Sequence, residues 1–304
     1  MSVWPSVEVI IPTRDRPELL TRAVDAARRQ EYPGPLRVAV VFDRADPDRS
    51  LEVDGQVPVR VITNSRTPGL AGARNSGIVT SGADLVAFCD DDDEWLPGKL
   101  RRQVERVQRE PDAQFITTSI RIDFHDRQSP RYAGTETVTH EQLLVSRMAM
   151  LHSSTFLVWR RYLTDEIGLV NEDSPSSQNE DWELLLRASQ DRPIAHVDEA
   201  LVAVRWGSAS LFSRAWESKI LGAEWILECF PEIRRSRIGY ARVLGQIAFA
   251  HAALAQRRQA VRWAVRSQRT RPREPRGYLA LAVALGFVPA RLVLERLHRH
   301  GRGV

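Results

Sequence analysis

The chain has 304 residues, of which 43% are hydrophobic and 27% are charged, a composition typical of a soluble globular protein with one or two domains. Its two cysteines, Cys89 and Cys229, form no CxxC or Cys/His motif, which argues against a structural zinc site or a disulfide framework and fits a reducing cytoplasm. The formal net charge is +4, but residues 211–304 hold 18 basic and 6 acidic side chains, whereas residues 1–210 hold 25 and 33.

The first part of the chain alternates strand patterns and helix patterns. Runs rich in β-branched residues predict strands over Val7–Pro12, Leu36–Asp43 and Val57–Thr63. A helix follows the first of these strands, with Asp15 as its predicted N-cap and Pro17 in its first turn. Because consecutive strand–helix units place their strands parallel through right-handed crossovers, this order predicts an α/β domain.

An acidic run, Asp90–Glu94, follows the fourth predicted strand, LVAF. The strand comes after the glycine-rich TPGLAGARNSGIVTSG, which begins as a loop and continues as a helix, and the acidic run precedes a helix in LPGKLRRQVERVQRE and a strand in AQFITTSIRI. Adjacent carboxylates repel and cannot be buried unpaired, so the run either holds a cation or lies in a solvated loop. Ligands bind at the carboxyl ends of parallel strands, and we therefore expect Asp15, Asp43 and Asp90–Asp93 to converge on one crevice.

The C-terminal part has the pattern of basic helices. Apolar residues recur at helical spacing from about residue 212, and the stretch RPREPRG divides this region into two helical runs. The stretch RRQAVRWAVRSQRTRPREPR carries eight arginines and one glutamate, which favours contact with an anionic membrane surface. Few aromatic residues lie among these arginines, so no nucleic acid partner is expected.

Neither end of the chain shows a targeting or membrane-spanning pattern. The N-terminal MSVWPSVEVIIPTRDRP lacks a basic segment followed by a long apolar one. The apolar run YLALAVALGFVPARLVL is interrupted by Pro289 and Arg291, which argues against a membrane span. The predicted location is the cytoplasm, with peripheral association at the inner membrane surface.

Five motifs in order carry a resemblance to a known family. VEVIIPTRDRPELL, VVFDRADPD, GLAGARNSGI, VAFCDDDDEWLPGKL and NEDWELLLRA resemble, in order and spacing, family 2 glycosyltransferases. The resemblance implies the A-type glycosyltransferase fold, a Rossmann-like α/β domain with a mostly parallel mixed sheet flanked by helices. It extends over roughly residues 7–210, so we expect a nucleotide-sugar-binding domain in 1–210 and a basic helical C-terminal extension in 211–304.

The resemblance implies where a nucleotide diphosphate-sugar donor, linked to UDP, GDP or TDP, would bind. The first loop and the end of the second strand would contact the nucleotide base, whereas the ARN element and the acidic run would contact ribose, phosphate and sugar. The implied donor-binding residues are Pro12, Thr13, Asp15, Asp43, Arg74, Asn75, Asp90 and Asp91.

The resemblance also implies the remaining parts of an inverting transferase. Asp92 would bind Mn²⁺ or Mg²⁺, which suit hard carboxylate ligands, and the family's late histidine ligand has no counterpart in VRWGSAS. Asp181 would be the catalytic base that takes the proton of an acceptor hydroxyl. The acceptor would be a glycan, a lipid-linked glycan or a small molecule. Residues implied at the acceptor side or in a lid are Ser154, Glu180, Trp182, Arg205 and Ser210.

Other functions compete with this interpretation. A degenerate transferase would be a non-catalytic module that binds a nucleotide or a polyanion, and the presence of Asp92 and Asp181 argues against it. An aspartyl-phosphate phosphotransferase needs a DxDx[TV] loop, and DDDDEW lacks the Thr or Val. A sugar nucleotidyltransferase would show an N-terminal glycine-rich loop, which IIPTRDRP does not resemble.

Overall fold

The computed structural model of the chain describes residues 4–124, 126–206 and 216–299, together with Gly303. Ten strands within these residues belong to one sheet. They are β1 (Val7–Thr13), β2 (Leu36–Phe42), β3 (Val59–Thr63), β4 (Leu85–Phe88), β5 (Glu94–Trp95), β6 (Phe115–Phe124), β7 (Arg127–Arg131), β8 (Thr137–Val138), β9 (Leu157–Trp159) and β10 (Ile194–Arg205).

Ten α-helices pack around this sheet or follow it in the chain. They are α1 (Pro17–Arg28), α2 (Leu70–Thr80), α3 (Lys99–Arg109), α4 (His140–Val145), α5 (Glu180–Ala188), α6 (Trp216–Cys229), α7 (Arg237–Ala253), α8 (Arg257–Thr270), α9 (Pro275–Ala284) and α10 (Ala290–His298). None of these helices, as far as the structure describes them, combines the length and the apolar character needed to cross a membrane.

The sheet is mixed and has the order β3-β2-β1-β4-β9-β6-β10-β5, with β7 on β6 and β8 on β10. Strands β1 to β4 pair in parallel, as their alternation with helices predicts. Strand β9 interrupts that arrangement, because it pairs antiparallel with both β4 and β6. It is only three residues long, too short for a periodic pattern to reveal. The predicted Rossmann-like fold with a mostly parallel mixed sheet is confirmed.

Two apolar cores cover the two faces of the sheet. Successive residues of a strand point to opposite faces, and in β1 the side chains of Val9 and Ile11 enter one core while Ile10 enters the other. The first core includes residues of α1 and α3, and the second includes residues of α2, α5, α6 and α7. The sheet is therefore a buried middle layer, and its strand ends are the places where polar loops gather.

The start of α1 differs from the prediction. Asp15 is not the N-cap: Arg16 occupies that position and makes no capping hydrogen bond with its side chain. Asp15 instead lies in the left-handed region, with φ of 54°, a conformation in which Asp is among the more tolerant residues. Pro17 begins the helix, as expected for a residue whose fixed φ suits the first turn.

The C-terminal helices are confirmed, but they are joined to the rest of the protein through a shared core. Ile226 of α6 and Ile247 of α7 pack in the same core as α5. The opposite side of α7, including Phe249, packs against α8 to α10. Ala255, with φ of 58°, separates α7 from α8. The expected boundary after residue 210 and Ser210 itself lie outside the described residues, and the division into 1–210 and 211–304 stays a prediction.

Candidate active site

A cavity of about 690 Å³ opens at the carboxyl ends of the strands. Thr13 ends β1, Asp43 follows β2 and Asp90 follows β4, and all three line the cavity. Parallel strands end at the same edge of a sheet, so loops that are distant in sequence meet there. The volume lies in the range of small-molecule and cofactor sites.

Most of the residues singled out in the sequence line this cavity. Asp92 and Asp181, the two with proposed chemical roles, are both among them. The full set consists of Pro12, Thr13, Asp43, Arg74, Asp90, Asp91, Asp92, Glu180, Asp181 and Arg205. Four candidates do not belong to the lining, namely Asp15, Asn75, Ser154 and Trp182.

Three of those four have contacts elsewhere. The Asp15 side chain is 75% exposed and pairs with Arg14. Asn75 is buried and donates to the Val170 carbonyl at 2.8 Å, which ties α2 to the loop before α5. Trp182, expected as a platform for the acceptor sugar, is buried in the core and donates its indole N–H to the Leu143 carbonyl at 3.1 Å.

Ser154 supports the acidic run from behind. Its hydroxyl donates to Asp93 at 2.5 Å and accepts from the Asp90 backbone N–H at 2.9 Å. The Ser154 carbonyl in turn accepts the indole N–H of Trp95 at 2.9 Å. These bonds hold the acidic loop in one conformation and leave Ser154 no face toward the cavity.

Arg16 neutralises part of the acidic run. Its guanidinium donates to Asp91 at 3.1 Å and to Asp92 at 2.9 Å. The Thr13 hydroxyl donates to the other oxygen of Asp91 at 2.8 Å. Sequence reasoning missed Arg16, although its position three residues after Thr13, in the loop that follows β1, was an available signal.

Arg74 joins the acidic run to the start of α5. The side chain is 2% exposed and donates to Asp90 at 2.6 Å and to Glu180 at 2.8 Å. Charge-assisted hydrogen bonds of this kind are stronger than neutral ones. Burial raises the pKa of Asp90, but the Arg74 guanidinium, His152 and the Ser153 hydroxyl together outweigh burial and lower that pKa. The two halves of the cavity are therefore connected through one buried cation.

His152 lines the cavity beside the acidic run. Its Nδ1 lies 3.2 Å from Asp93. Burial by itself lowers the pKa of His152, but Asp93 and Asp90 outweigh burial and raise that pKa to about 9. Ligand atoms of Asp90, Asp93 and His152 lie within 4.8 Å of one another. In the protein on its own His152 pairs with Asp93, and the three side chains are also close enough together to hold a metal ion with the imidazole neutral.

Asp92 has the chemistry of a ligand for a divalent cation. Its side chain is 30% exposed and has Arg16 as an ionic partner. Burial, followed by repulsion from Asp93 and Asp90, raises the pKa of Asp92 to about 7. Too little positive charge therefore faces this carboxylate, and hard oxygen donors of this kind suit Mg²⁺ or Mn²⁺. The residues present fit such an ion.

Asp181 lies in the first turn of α5, where the helix dipole favours a negative charge. One of its oxygens accepts the Trp182 backbone N–H at 2.7 Å, and the other accepts a hydrogen bond from Arg147. Burial raises the pKa of Asp181, but Arg147, His152 and the Trp182 backbone N–H together outweigh burial and lower that pKa. The carboxylate is therefore ionised at neutral pH, the form that a general base requires.

Comparisons with known proteins give the family. Residues 8–168 match the model described as glycosyl transferase family 2. An uncharacterized glycosyltransferase of Bacillus subtilis, YwdF, is 26% identical over 212 residues, an alignment that covers 67% of this chain and 75% of the relative.

Two further similarities extend beyond the matched segment. The Escherichia coli protein UDP-Glc:alpha-D-GlcNAc-diphosphoundecaprenol beta-1,3-glucosyltransferase WfgD is 22% identical over 237 residues, which cover 77% of this chain and 90% of that protein. The structure of S. aureus TarS 1-349 in complex with UDP-GlcNAc superposes with a TM-score of 0.61 and 19% identity, covering 98% of this chain and 92% of the TarS 1-349 chain. The family match spans more than half of the chain, and the chain belongs to glycosyl transferase family 2 as a glycosyltransferase.

Proposed function

We propose that the protein is an inverting, metal-dependent transferase that moves a sugar from a nucleotide diphosphate-sugar to a hydroxyl group of a glycan. One observation carries this proposal: Asp92, with the properties of a metal ligand, and Asp181, with those of a base, line one cavity. Inversion by a single displacement needs one base, one polarised leaving group and no covalent intermediate.

In the proposed reaction, Asp181 takes the proton of the acceptor hydroxyl as its oxygen attacks the anomeric carbon. The new bond joins that oxygen to the sugar, and the bond between the sugar and the diphosphate breaks. The electron pair leaves with the diphosphate of the donor. Because Arg147 bonds Asp181, the base is oriented before the acceptor arrives.

Asp92 would hold Mg²⁺ or Mn²⁺ on the donor side of the cavity. When bound, the ion would offset the negative charge that develops on the departing diphosphate. Arg16 donates hydrogen bonds to both Asp91 and Asp92 and holds the two carboxylates close together in the protein on its own. Asp90 has a different task, because Arg74 and Ser153 occupy its oxygens.

The nucleotide would lie over the ends of β1 and β2. The carboxylate of Asp43 is oriented by the Asn64 side chain at 2.8 Å and by the Gly69 backbone N–H at 3.1 Å. A carboxylate so oriented can accept an N–H of a nucleotide base. The names of WfgD and of the TarS complex both contain a UDP-sugar, which supports a UDP-linked donor, with GDP and TDP as the alternatives.

The proposed donor and metal sites can be tested by thermal stability. We expect UDP, and to a smaller extent GDP or TDP, to raise the melting temperature only when Mg²⁺ or Mn²⁺ is present, because a ligand that binds the folded form stabilises it. At 100 times the dissociation constant the stabilisation amounts to about 2.7 kcal/mol. A chelator added to the same sample should reverse the shift.

The outcome also separates the enzyme from a binding module. The transferase is supported if nucleotide and metal together raise the melting temperature and a donor screen, read by product mass, then detects sugar transfer. Binding without turnover with any donor and acceptor would indicate a non-catalytic module. If no nucleotide changes the melting temperature with either metal, the proposed donor site is wrong.

We further propose that the acceptor is linked to a lipid and that the C-terminal helices contact an anionic membrane. The turn between α9 and α10 presents an apolar tip, defined here as Leu285, Phe287 and Leu292, which are 62%, 81% and 47% exposed. The same region carries exposed arginines on α8. Exposed apolar and basic residues together are typical of membrane interfaces.

Helix α10 connects the apolar tip to the cavity. Leu292 lies near the start of α10, and His298 at the other end packs on Trp206, with ring centroids 5.2 Å apart. Trp206 lines the cavity. A helix rises about 1.5 Å per residue, so the nine residues of α10, about 13 Å in length, connect the apolar tip to the side chain that packs on Trp206. A membrane bound at the tip would bring the head group of a lipid-linked acceptor near Asp181.

Vesicle binding tests the membrane contact. We expect the protein to bind vesicles that contain phosphatidylglycerol and to bind vesicles of phosphatidylcholine alone much more weakly, because the attraction is partly electrostatic. Phe287→Ser should weaken binding about tenfold or more, as expected for losing 1.5–3 kcal/mol of apolar burial. Tyr132→Ser, at another exposed aromatic residue, serves as the control. Equal binding by both variants would contradict the proposed contact.

A further inference from the structure

The chain uses arginine for nearly all of its positive charge. Of 43 basic residues, only Lys99 and Lys219 are lysines. Lys99 is buried in the core, and Lys219 lines the cavity. Neither lysine therefore serves as an ordinary surface cation. Lysine differs from arginine in being a compact point charge that a confined site can accommodate, so the position of Lys219 calls for an explanation.

Lys219 projects from α6 toward the part of the cavity that contains Asp181, the proposed general base. Its Nζ lies 4.3 Å from the centroid of the Trp216 ring. No acidic side chain pairs with Lys219 among the residues that the structure describes. Arg147 lines the same cavity, and its guanidinium bonds Asp181. Its Nε is buried and has no hydrogen-bond partner in the described part of the chain.

The charges on this side of the cavity are incompletely balanced. Arg147 pairs with Asp181 and also faces Glu180, which is itself paired with Arg74, whereas Lys219 has no carboxylate partner in the described part of the chain. Burial, followed by repulsion from Arg147, lowers the pKa of Lys219 to about 8. Lys219 is therefore still largely protonated at pH 7. Confined like charges are stabilised by a bound anion, because electrostatic interactions are stronger away from bulk water.

We propose that Arg147 and Lys219 form an anion subsite that binds a phosphate group of the acceptor next to Asp181. This inference rests on the proposed function and narrows it, because it makes the substrate class a sugar phosphate or a sugar diphosphate linked to a lipid, and not a neutral glycan.

The position of the two cations favours the acceptor over the donor as the source of the phosphate. The cations paired with Asp90–Asp93 are Arg16, Arg74 and His152. Arg147 bonds instead the proposed base, which contacts the acceptor hydroxyl. A phosphate that draws Arg147 toward itself also frees an oxygen of Asp181 to accept the proton of that hydroxyl. Binding of the correct acceptor thereby activates Asp181, the base that deprotonates it.

The inference can be tested by chemical labelling of the unmodified protein. Pyridoxal 5′-phosphate carries an aldehyde that forms an imine with a lysine, and borohydride reduces the imine to a stable product that peptide mass mapping locates. Pyridoxal is the matched probe without a phosphate. We expect pyridoxal 5′-phosphate to label Lys219 at least about tenfold faster than pyridoxal does, as one charge-assisted phosphate contact provides. Lys99, buried in the core, should stay unlabelled and serves as the internal control.

Competition identifies the source of the phosphate. With the donor site filled by UDP and Mg²⁺, glucose 1-phosphate should protect Lys219 from labelling, and methyl glucoside should not. If UDP and Mg²⁺ alone protect Lys219 fully, the two cations belong to the donor diphosphate and the acceptor assignment is overturned. If pyridoxal labels Lys219 as fast as its phosphate ester, there is no anion subsite.

A variant of Arg147 distinguishes an anion subsite from a lysine that is simply exposed to both aldehydes. Arg147→Gln should reduce the preference for pyridoxal 5′-phosphate over pyridoxal, while Lys219 stays reactive toward both. An unchanged preference would remove Arg147 from the subsite. If UDP does not raise the melting temperature with either metal, the proposed donor site is wrong. The labelling experiment tests the anion subsite independently, through the preference for pyridoxal 5′-phosphate over pyridoxal.

Discussion

Asp181→Asn is expected to lower kcat by about 10²–10⁴-fold, the usual contribution of a general base. Asparagine keeps the size of the side chain but cannot take a proton at neutral pH. The donor does not depend on this residue, so the stabilisation by nucleotide and metal should remain nearly that of the unchanged protein. Single-turnover kinetics with a saturating donor would measure the chemical step directly.

The control for this variant is Asp165→Asn, at an exposed aspartate outside the cavity. It removes the same charge and should leave turnover nearly unchanged. Because Asp181 pairs with a buried part of Arg147, the melting temperature of Asp181→Asn must be measured with the kinetics. A folded Asp181→Asn protein with turnover within a few-fold of the unchanged protein would exclude Asp181 as the base.

Asp92→Asn is expected to lower turnover by about 100-fold or more, since a metal that stabilises a leaving group contributes several kcal/mol and each 1.36 kcal/mol is tenfold. A neutral amide oxygen is a weaker ligand than a carboxylate, so the metal-dependent part of the thermal shift should also decrease. Raising the Mn²⁺ concentration should restore part of the activity, because the loss is one of metal affinity.

Two comparisons make the result for Asp92 specific. Asp54→Asn, at an exposed aspartate outside the cavity, should show normal turnover and normal metal dependence. Asp92→Asn should also show an altered metal concentration at half-maximal activity, which a general loss of folding would not produce. Full activity of Asp92→Asn at low metal concentration would remove Asp92 from the metal site and direct attention to Asp90 and Asp93.

The sequence predicted the cavity residues best where an acidic residue comes at the end of a predicted strand. Asp43 and Asp90 come directly after β-branched or apolar runs that read as strands, and alternation with helices made those strands parallel. Parallel strands end at one edge, so the convergence of the loops followed from local patterns alone. The same reasoning was wrong for Asp15, which lies in the loop after β1 but points into solvent, with its side chain 75% exposed.

The residues around Asp181, the proposed general base, were harder to predict from the sequence. Asp181 was found through the resemblance to a family, and its partner Arg147 carries no motif. Trp182 was expected at the acceptor, but α5 turns its ring into the core, where its indole bonds Leu143. On a helix that is buried on most sides, neighbouring residues face different surroundings, and periodicity does not tell a cavity from a core.

Local pattern and order along the chain were sufficient to predict the α/β class, the edge of the sheet at which the cavity opens and the acidic loop as a candidate cation site. These features depend on neighbours in sequence. The antiparallel insertion of β9, the bridge of Arg74 between Asp90 and Glu180, and the position of Lys219 beside Arg147 could be recognised only in the folded chain. Each depends on the paths of loops and on packing between elements far apart in sequence, and pairwise contacts of this kind leave no periodic signal in a single sequence.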